Sequence, residues 1–365
     1  MILVVTAGNA FSFLILWELM SLSSFFLVLF DNEKKEVREA GWIYLIATHL
    51  GTAFLLAFFL VLGNRAGSLE FSRLAAVTPL SPAVATVLFL LAVAGFGTKA
   101  GFLPLHVWLP EAHPAAPSHV SALMSGVMIK TGIYGLLRAW TWLAPAVGTV
   151  PAWWGWTLVG IGATSGIIGV LLALAQHDLK RLLAYHSVEN IGIIALGIGL
   201  GILGVASGSP LVAILGFGGG LLHVLNHALF KGLLFLAAGA VQRATGTRNL
   251  EQLGGLLKRM PVTGACFLAG AMAISGLPPW NGFVSEFMIY LGAFSGLVGS
   301  GRGAGILHSV AVPGVLVIGS LALIGGLAVA CFAKACGAVF LGEPRTTLPG
   351  EVRDPGRPLL GAMLS

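Results

Sequence analysis

Apolar runs of membrane-spanning length follow one another along almost the whole chain. A helix needs about 20 apolar residues to cross the hydrocarbon core of a bilayer. After an apolar stub at residues 1–9, short polar or Pro/Gly-rich segments separate runs at 10–30, 37–63, 82–110, 117–143, 153–175, 182–206, 211–242, 261–299 and 311–341. The pattern predicts an all-α polytopic membrane protein with nine crossings and a stub over residues 1–341, followed by a cytoplasmic segment at 342–365.

Composition supports this prediction. Of the 365 residues, 57% are hydrophobic and only 9% are charged, whereas about 25% of an ordinary soluble domain is charged. A soluble globular protein is therefore excluded. The formal net charge of +6 does not indicate nucleic-acid binding, because the chain has no basic stripe with interleaved aromatic residues.

The loop charges predict an orientation, because cytoplasmic loops collect Lys and Arg. Alternate loops carry twelve such residues on one side and four on the other. The twelve are Lys34, Lys35, Arg38, Lys180, Arg181, Arg243, Arg248, Lys258, Arg259, Arg345, Arg353 and Arg357. The four are Arg65, Arg73, Arg138 and Arg302. We expect the first set to lie in the cytoplasm.

Two of the apolar runs contain helix-breaking residues. Gly101, Pro104 and Pro110 interrupt 82–110, and GLPP at 276–279 interrupts 261–299. Backbone groups freed by a break must be satisfied inside protein or by water, so broken membrane helices mark cavities and ion routes. Each run also carries a charge, Lys99 in the first and Glu286 in the second. The sequence therefore predicts two broken helices in corresponding places of an internal repeat.

Glu18 lies near the middle of the run 10–30. A charge at that depth is costly and is usually paired, so we expect an ion pair between Glu18 and Lys99. A structural carboxyl hydrogen-bonded to a neighbouring helix is the alternative for Glu18, and a side chain that reaches the interface is the alternative for Lys99. Glu189 either mirrors Glu18 in the second half or lies at the membrane interface.

Histidines follow the first break, at positions 106, 113 and 119. Histidine titrates near neutral pH, so a series of histidines can transfer protons. His119 and Lys130 are eleven residues apart, which places them on nearly the same face of a regular α-helix. A metal site is the alternative, but the spacings do not bring the histidines to one helical face and only Glu111 is nearby.

HVLNHALFKGLLFL is the sharpest local pattern in the chain. It places His223, His227 and Lys231 at i, i+4 and i+8, which is one face of a helix about 12 Å long. A zinc site would need a further anionic ligand, and the HExxH glutamate is absent while the lysine cation opposes a metal. The stripe therefore favours a proton relay. Lys334 is either a relay residue or a side chain that reaches the interface.

The three cysteines, Cys266, Cys331 and Cys336, lie in apolar runs without a CxxC spacing. They are typical of small residues at helix contacts and do not indicate a cluster. We therefore expect no cofactor and no metal site on this chain.

The segment KAGFLPLHVWLPEAHPAAPSHVSALMSGVMIKTGIYGLLR, with WELMSLSSFFLVL before it and HALFKGLLFLAAGAV and GLPPWNGFVSEF after it, resembles the antiporter-like proton-pumping membrane subunits of complex I and related complexes. HPAAPSHVSALMSGVMIKTGIYG is most similar to the large membrane subunit of formate-hydrogenlyase and hydrogenase-4 type [NiFe] hydrogenases. The resemblance covers nearly the whole chain. It implies two inverted five-helix repeats, each with one broken helix, in a multi-pass protein of a prokaryotic cell membrane.

The resemblance also implies roles for individual residues. Glu18 and Lys99 form the ion pair of the first half-channel, Lys130 continues the path, Lys231 with its histidines is the central link, and Glu286 is the exit-side group. Glutamate at position 286 fits only some subunit types of the family. Relatives of this kind begin before and extend beyond the present chain, so we expect 342–365 to be the beginning of a longer segment.

These observations predict a proton-translocating membrane subunit of a redox complex, whose redox centres lie on other subunits. The expected partners are other membrane-arm subunits and a peripheral redox arm of [NiFe] hydrogenase-like or quinone-reductase-like type. The predicted path comprises Glu18, Lys99, His119, Lys130, His223, His227, Lys231 and Glu286. A cation/proton antiporter subunit without a redox partner is the first alternative, and a structural membrane anchor of a hydrogenase is the second.

Overall fold

The computed structural model describes residues 1–77, 79–299, 310–347 and 352–364. Within these ranges the chain is helical, with only two isolated β-bridges. The helices are α1 (Ile2–Thr6), α2 (Ala10–Val28), α3 (Lys35–Ala66), α4 (Phe71–Leu74), α5 (Pro82–Ala100), α6 (Leu109–Ala115), α7 (Ser118–Leu123), α8 (Ile129–Ala146), α9 (Ala152–Leu174), α10 (Leu179–Ala206), α11 (Pro210–Thr245), α12 (Pro261–Ile274), α13 (Asn281–Gly299), α14 (Ala311–Phe340) and α15 (Arg357–Leu364).

Eight helical stretches are long and apolar enough to cross a membrane. They are α2, α3, α5, the continuous stretch Ser118–Ala146 that contains α7 and α8, α9, α10, α11 and α14. The remaining predicted run, 261–299, is divided into α12 and α13. The all-α polytopic fold is confirmed, while the count of nine crossings and the boundary at 341 stay predictions.

The first predicted break separates α5 from α6. The helix α5 ends where Gly101 takes φ +91°, a backbone conformation that favours glycine. Backbone groups freed there are satisfied by side chains. Trp108 Nε1 donates to the Thr98 carbonyl oxygen at 2.8 Å, and the Leu103 N–H donates to Ser165 Oγ of α9 at 3.0 Å. Pro110 does not belong to the break, because it lies in the first turn of α6, where its missing N–H has no helical partner.

The second break separates α12 from α13 and has the same design. Gly276, with φ +63°, follows the end of α12, and α13 begins at Asn281. Asn226 of α11 satisfies the start of α13, because its Nδ2 donates to the Asn281 carbonyl oxygen at 2.7 Å. Both breaks are thus held by side chains of a neighbouring long helix, as a membrane interior requires.

Helix α10 lies at the centre of the bundle, and 94% of its apolar 18-residue stretch is buried. It packs against α9 through glycines. A Cβ atom added to Gly192 of α10 would lie 2.5 Å from the Gly166 nitrogen and 2.7 Å from the Gly162 carbonyl oxygen of α9. Such close approach of two backbones is typical of small-residue interfaces between membrane helices. It makes α10 the helix on which both halves of the chain pack.

The three loops predicted to be cytoplasmic lie together at one end of the bundle. Together they line a vestibule of about 720 Å³. The first loop contributes Asp31 and Lys34 to its wall, the second Asp178 and the third Arg248. Outside the helices, a hydrogen bond from Lys258 Nζ to Glu343 Oε1 at 2.9 Å holds the pKa of the Glu343 carboxyl below its usual value. Arg302 of the opposite loops lies outside the described residues.

Candidate proton pathway

In the first half, Lys99 and Glu18 are both present near the break, but they do not pair. The Lys99 side chain is buried, and its Nζ donates to Ser21 Oγ of α2 at 2.6 Å. It also lies 5.4 Å from the ring centre of Trp17. The carboxylate of Glu18 instead lies 3.4 Å from His49 Nε2 of α3. The predicted direct ion pair between these two fully described side chains is therefore wrong.

The physical reason is the direction in which α2 presents its residues. Ser21 is buried and lies three residues after Glu18, almost one helical turn away, so it reaches Lys99 first. The Glu18 side chain is 26% exposed and His49 is 51% exposed. The carboxyl therefore points to the edge of α2 and α3, and a hydroxyl solvates the buried ammonium in its place.

Lys130 lies just after a π-helical segment, Met124–Met128, between α7 and α8. Its Nζ donates to the Ser125 carbonyl oxygen inside that segment. Ser125 Oγ lies 2.8 Å from Ser187 Oγ of α10. A π-helical turn uses more residues per turn than an α-helical turn and often marks a functional site. Here it brings the Lys130 ammonium to a carbonyl that faces the central helix.

The same segment overturns the predicted position of His119. The side chain of His119 is exposed on α7, whereas Lys130 is buried. The spacing of eleven residues gives a shared face only in an uninterrupted α-helix, and the π segment changes the phase between the two positions. The buried histidine of this region is His113 of α6, whose two ring nitrogens have no hydrogen-bond partner among the described residues.

A hydrogen-bonded network links α10, α11 and α13 at the centre of the bundle. His186 Nδ1 contacts Glu189 Oε2, and Asn190 Oδ1 lies 3.0 Å from His223 Nε2. His223 Nδ1 lies 2.9 Å from Ser285 Oγ. Asn190 Nδ2 completes the connection, since it donates to the His186 carbonyl oxygen at 2.8 Å and lies 3.4 Å from Glu189 Oε2. All five side chains are buried.

The orientation of Asn190 fixes the protonation of His223. An amide oxygen can only accept, so His223 Nε2 carries a proton in this geometry. When the ring is neutral, Nδ1 is the acceptor and faces the hydroxyl of Ser285. When the ring is charged, both nitrogens donate. His223 can therefore hold a second proton without losing either partner, which a proton carrier requires.

His227 and Lys231 lie one and two turns beyond His223 along α11. Both are fully buried, so the predicted inward face of the stripe is confirmed. Lys231 Nζ donates to the Leu183 carbonyl oxygen of α10, and both nitrogens of His227 have no partner among the described residues. The charged groups that interact with His227 are those of Lys130, Lys231, His223 and His186. His227 lies one helical turn from Lys231 on α11.

Glu286 follows the second break. Its side chain is buried and adjoins Ser285, the last member of the network. The carboxylate lies against the turn at Gly276, because a Cβ atom there would be 2.6 Å from Glu286 Oε2. The hydrogen bonds of this network reach Ser285, the residue before Glu286, through His223 and not through Lys231.

Sequence analysis missed four members of this site. His186, Asn190, Ser187 and Ser285 were not assigned, and Glu189 was left open between a buried and an interfacial position. The signal was the tetrapeptide VENI inside an otherwise apolar helix, in which Glu189 is fully buried. Within the described ranges, no group of three or more His, Cys, Asp or Glu side chains could hold a metal ion.

The sequence and the fold have counterparts among known proteins. The chain is 46% identical over 364 residues to hydrogenase-4 component B of Escherichia coli (strain K12), with 100% of this chain and 53% of the relative covered. It is 42% identical over 342 residues to formate hydrogenlyase subunit 3 of the same strain, with 94% and 53% covered. Among solved structures, the archaeal membrane-bound sulfane sulfur reductase matches with a TM-score of 0.79 and 29% identity, over 98% of this chain and 55% of that chain.

The chain thus spans about half the length of the curated relatives it matches. A family model described as NADH:quinone oxidoreductase/Mrp antiporter, TM matches residues 7–310, a range that contains both breaks and every residue of the predicted path. The chain is a multi-pass membrane protein, and it belongs to the NADH:quinone oxidoreductase/Mrp antiporter transmembrane family.

Proposed function

We propose that this chain is the proton-translocating membrane subunit of a redox-driven complex of hydrogenase-4, formate hydrogenlyase or NADH:quinone oxidoreductase type. The observation that carries the proposal is the buried polar line from Lys130 through the centre of the bundle to Glu286. Titratable groups inside a membrane bundle are costly and typical of proton routes. Here they lie on α8, α10, α11 and α13.

In this proposal the protons pass between the lysines and histidines and leave through the second break. Lys130 releases a proton towards His227, and Lys231 exchanges protons with the same histidine through intervening water. His223 then transfers a proton by way of the Ser285 hydroxyl towards Glu286. Lys99 and Glu18 lie apart from this line, Lys99 on Ser21 beside the first break and Glu18 on His49 at the edge of α2 and α3.

The relatives support the proposed partners. Two are components of hydrogenase-4 and of formate hydrogenlyase, and the structural neighbour belongs to a respiratory membrane complex. We therefore propose that other membrane-arm subunits adjoin this chain and that a peripheral arm, [NiFe] hydrogenase-like or quinone-reductase-like, carries the redox centres.

The test uses Lys231 in the full-length protein within its complex, reconstituted in vesicles. Lys231→Ala removes the proton carrier, and Lys231→Arg keeps a charge that is not released at accessible pH. Both variants should lose electron-transfer-driven proton pumping while the complex still assembles. Lys35→Ala is the matched control, because Lys35 is exposed and its ion-pair partner among the described residues is Glu39. Full pumping in both Lys231 variants would contradict the relay and favour a structural anchor.

A cation/proton antiporter subunit is the second candidate, since the family model includes Mrp antiporters. The two candidates differ in what drives the protons. In vesicles that lack an electron donor, an imposed Na⁺ or K⁺ gradient should produce no proton movement through the redox-driven pump. Proton movement that depends on the cation gradient and on Lys231 would favour antiport.

A further inference from the structure

The vestibule at the predicted cytoplasmic end has a charged wall and a single buried cation at its floor. Arg181 contacts Glu111, and Arg248 Nε lies 3.0 Å from Asp178 Oδ2. These two ion pairs flank the opening. Lys180 also lines the vestibule, but its side chain is only 1% exposed.

Lys180 has no acidic partner among the described residues. Its Nζ donates to the Ala116 carbonyl oxygen at the end of α6. The nearest carboxylate in sequence, Asp178, is already engaged by Arg248 and by the backbone N–H groups of residues 180 and 181. A lysine can serve as a cap for the last carbonyls of a helix, so this contact alone does not distinguish a structural role from a proton carrier.

His113 lies three residues before Ala116 on the same helix and provides the second observation. It is fully buried, and both ring nitrogens have no partner among the described residues. Ser121 Oγ holds its backbone by donating to the His113 carbonyl oxygen at 2.8 Å. Since buried polar groups are almost always hydrogen-bonded to protein or water, two unpartnered nitrogens indicate a site that water fills.

The surroundings of His113 connect the vestibule to the centre of the bundle. Its ring stacks on Phe235 with centres 5.0 Å apart, and Lys231 Nζ lies 5.6 Å from the centre of the same Phe235 ring. The charged groups that interact with His113 are Lys231, Lys180 and Lys130. His113 thus shares the Phe235 ring with Lys231 and lies on the helix whose end binds Lys180.

We propose that the vestibule is the proton entrance of the central line, with Lys180 as its first buried carrier and His113 as the carrier from Lys180 to Lys231. The proposal rests on the function proposed above. A proton taken up from the aqueous phase binds the Lys180 amine, and the ammonium passes it through water to a nitrogen of neutral His113. The resulting imidazolium gives the proton to the Lys231 amine, so Lys180 and His113 return to their neutral forms and the proton is held on Lys231.

The first test measures pumping by the complete complex in inverted membrane vesicles. Lys180→Met and His113→Phe should each lower the rate of proton pumping at least about tenfold, the lower range for a missing proton-transfer group. His113→Phe keeps an aromatic ring stacked against Phe235 and removes only the titratable nitrogens. Lys180→Arg keeps a donor for the Ala116 carbonyl but does not release its proton, so it should fail as well, whereas a merely structural cap would tolerate it.

The outcomes separate this inference from the proposed function. Normal pumping in Lys180→Arg and His113→Phe, together with loss in Lys231→Ala, would overturn the entrance and leave the function standing. Normal pumping in Lys231→Ala would overturn the function itself. Lys35→Ala again serves as the exposed control on the same side.

A labelling experiment tests the entrance even where a variant pumps poorly. In full-length protein with Cys266, Cys331 and Cys336 replaced by Ala, Gln242→Cys places a thiol on the vestibule wall. A membrane-impermeant maleimide added to inverted vesicles should label it, and should not label Leu229→Cys on the exposed apolar face of α11. A Gln242→Cys thiol that stays unlabelled, as Leu229→Cys does, would contradict an open water-filled vestibule.

Discussion

The two halves of the bundle use the same break but place their charge on opposite sides of it. In the first half Lys99 lies on α5, before the turn at Gly101, and donates to Ser21. In the second half Glu286 lies on α13, after the turn at Gly276, and its carboxylate rests against that turn. A glycine with positive φ ends the first arm in both cases. Both halves therefore share the same kind of helix break. The charged residue lies before the turn in the first half and after the turn in the second.

Each half also contains a pair of glutamate and histidine, and the two pairs differ in how far they are exposed. Glu18 and His49 belong to two helices at the edge of the bundle and keep part of their surface exposed. His186 and Glu189 belong to the central helix α10 and have no exposed surface. The same residue types are thus partly exposed in one half and fully buried in the other. Substitutions at the two histidines and at the two break glycines test how the halves differ.

The largest effect is expected for His186→Ala. It removes the partner of a buried carboxyl and the ring that packs 4.5 Å from Phe332, and loss of one member of a buried pair costs about 3–5 kcal/mol. The measurement is the thermal unfolding of the purified full-length protein in detergent. The double substitution His186→Ala with Glu189→Ala should recover part of the loss, because the two residues interact directly. A double variant that is less stable by the sum of both single losses would show that the pair is not coupled.

An intermediate effect is expected at the two break glycines. Gly276→Ala and Gly101→Ala both force a side chain into positive φ, which costs about 1–3 kcal/mol each. Only Gly276→Ala also meets the Glu286 carboxylate, whereas the Gly101 Cβ would meet the Leu109 side chain. We expect similar losses in thermal stability but a larger loss of pumping for Gly276→Ala. Equal pumping in the two variants would show that Glu286 does not need its place against the turn.

The smallest effect is expected for His49→Ala. The pair with Glu18 is partly exposed, and such pairs contribute about 0–1 kcal/mol. Thermal unfolding should therefore shift far less than in His186→Ala. A loss of stability as large as that of His186→Ala would mean that the edge of α2 and α3 is as dependent on its ion pair as the centre.

Much of this protein follows from the periodicity of its sequence. The apolar runs predict the long helices, because length and hydropathy suffice where lipid is the solvent. The glycines and prolines predict both breaks, because they act on the local backbone. The i, i+4, i+8 stripe of α11 predicts a buried face, because a helix fixes the relative direction of residues on it.

Partner choice between helices was decided only by tertiary structure. Ser21 and not Glu18 reaches Lys99, and the π segment moves Lys130 away from the face of His119. The sequence predicts that Lys180 is a basic residue of a cytoplasmic loop, yet it lies in α10 and its Nζ donates to the buried Ala116 carbonyl oxygen. These outcomes depend on helix rotation and on distances between segments far apart in the chain. The sequence determines which side chains are costly to bury, and the packing of α10 against both halves determines which of them meet.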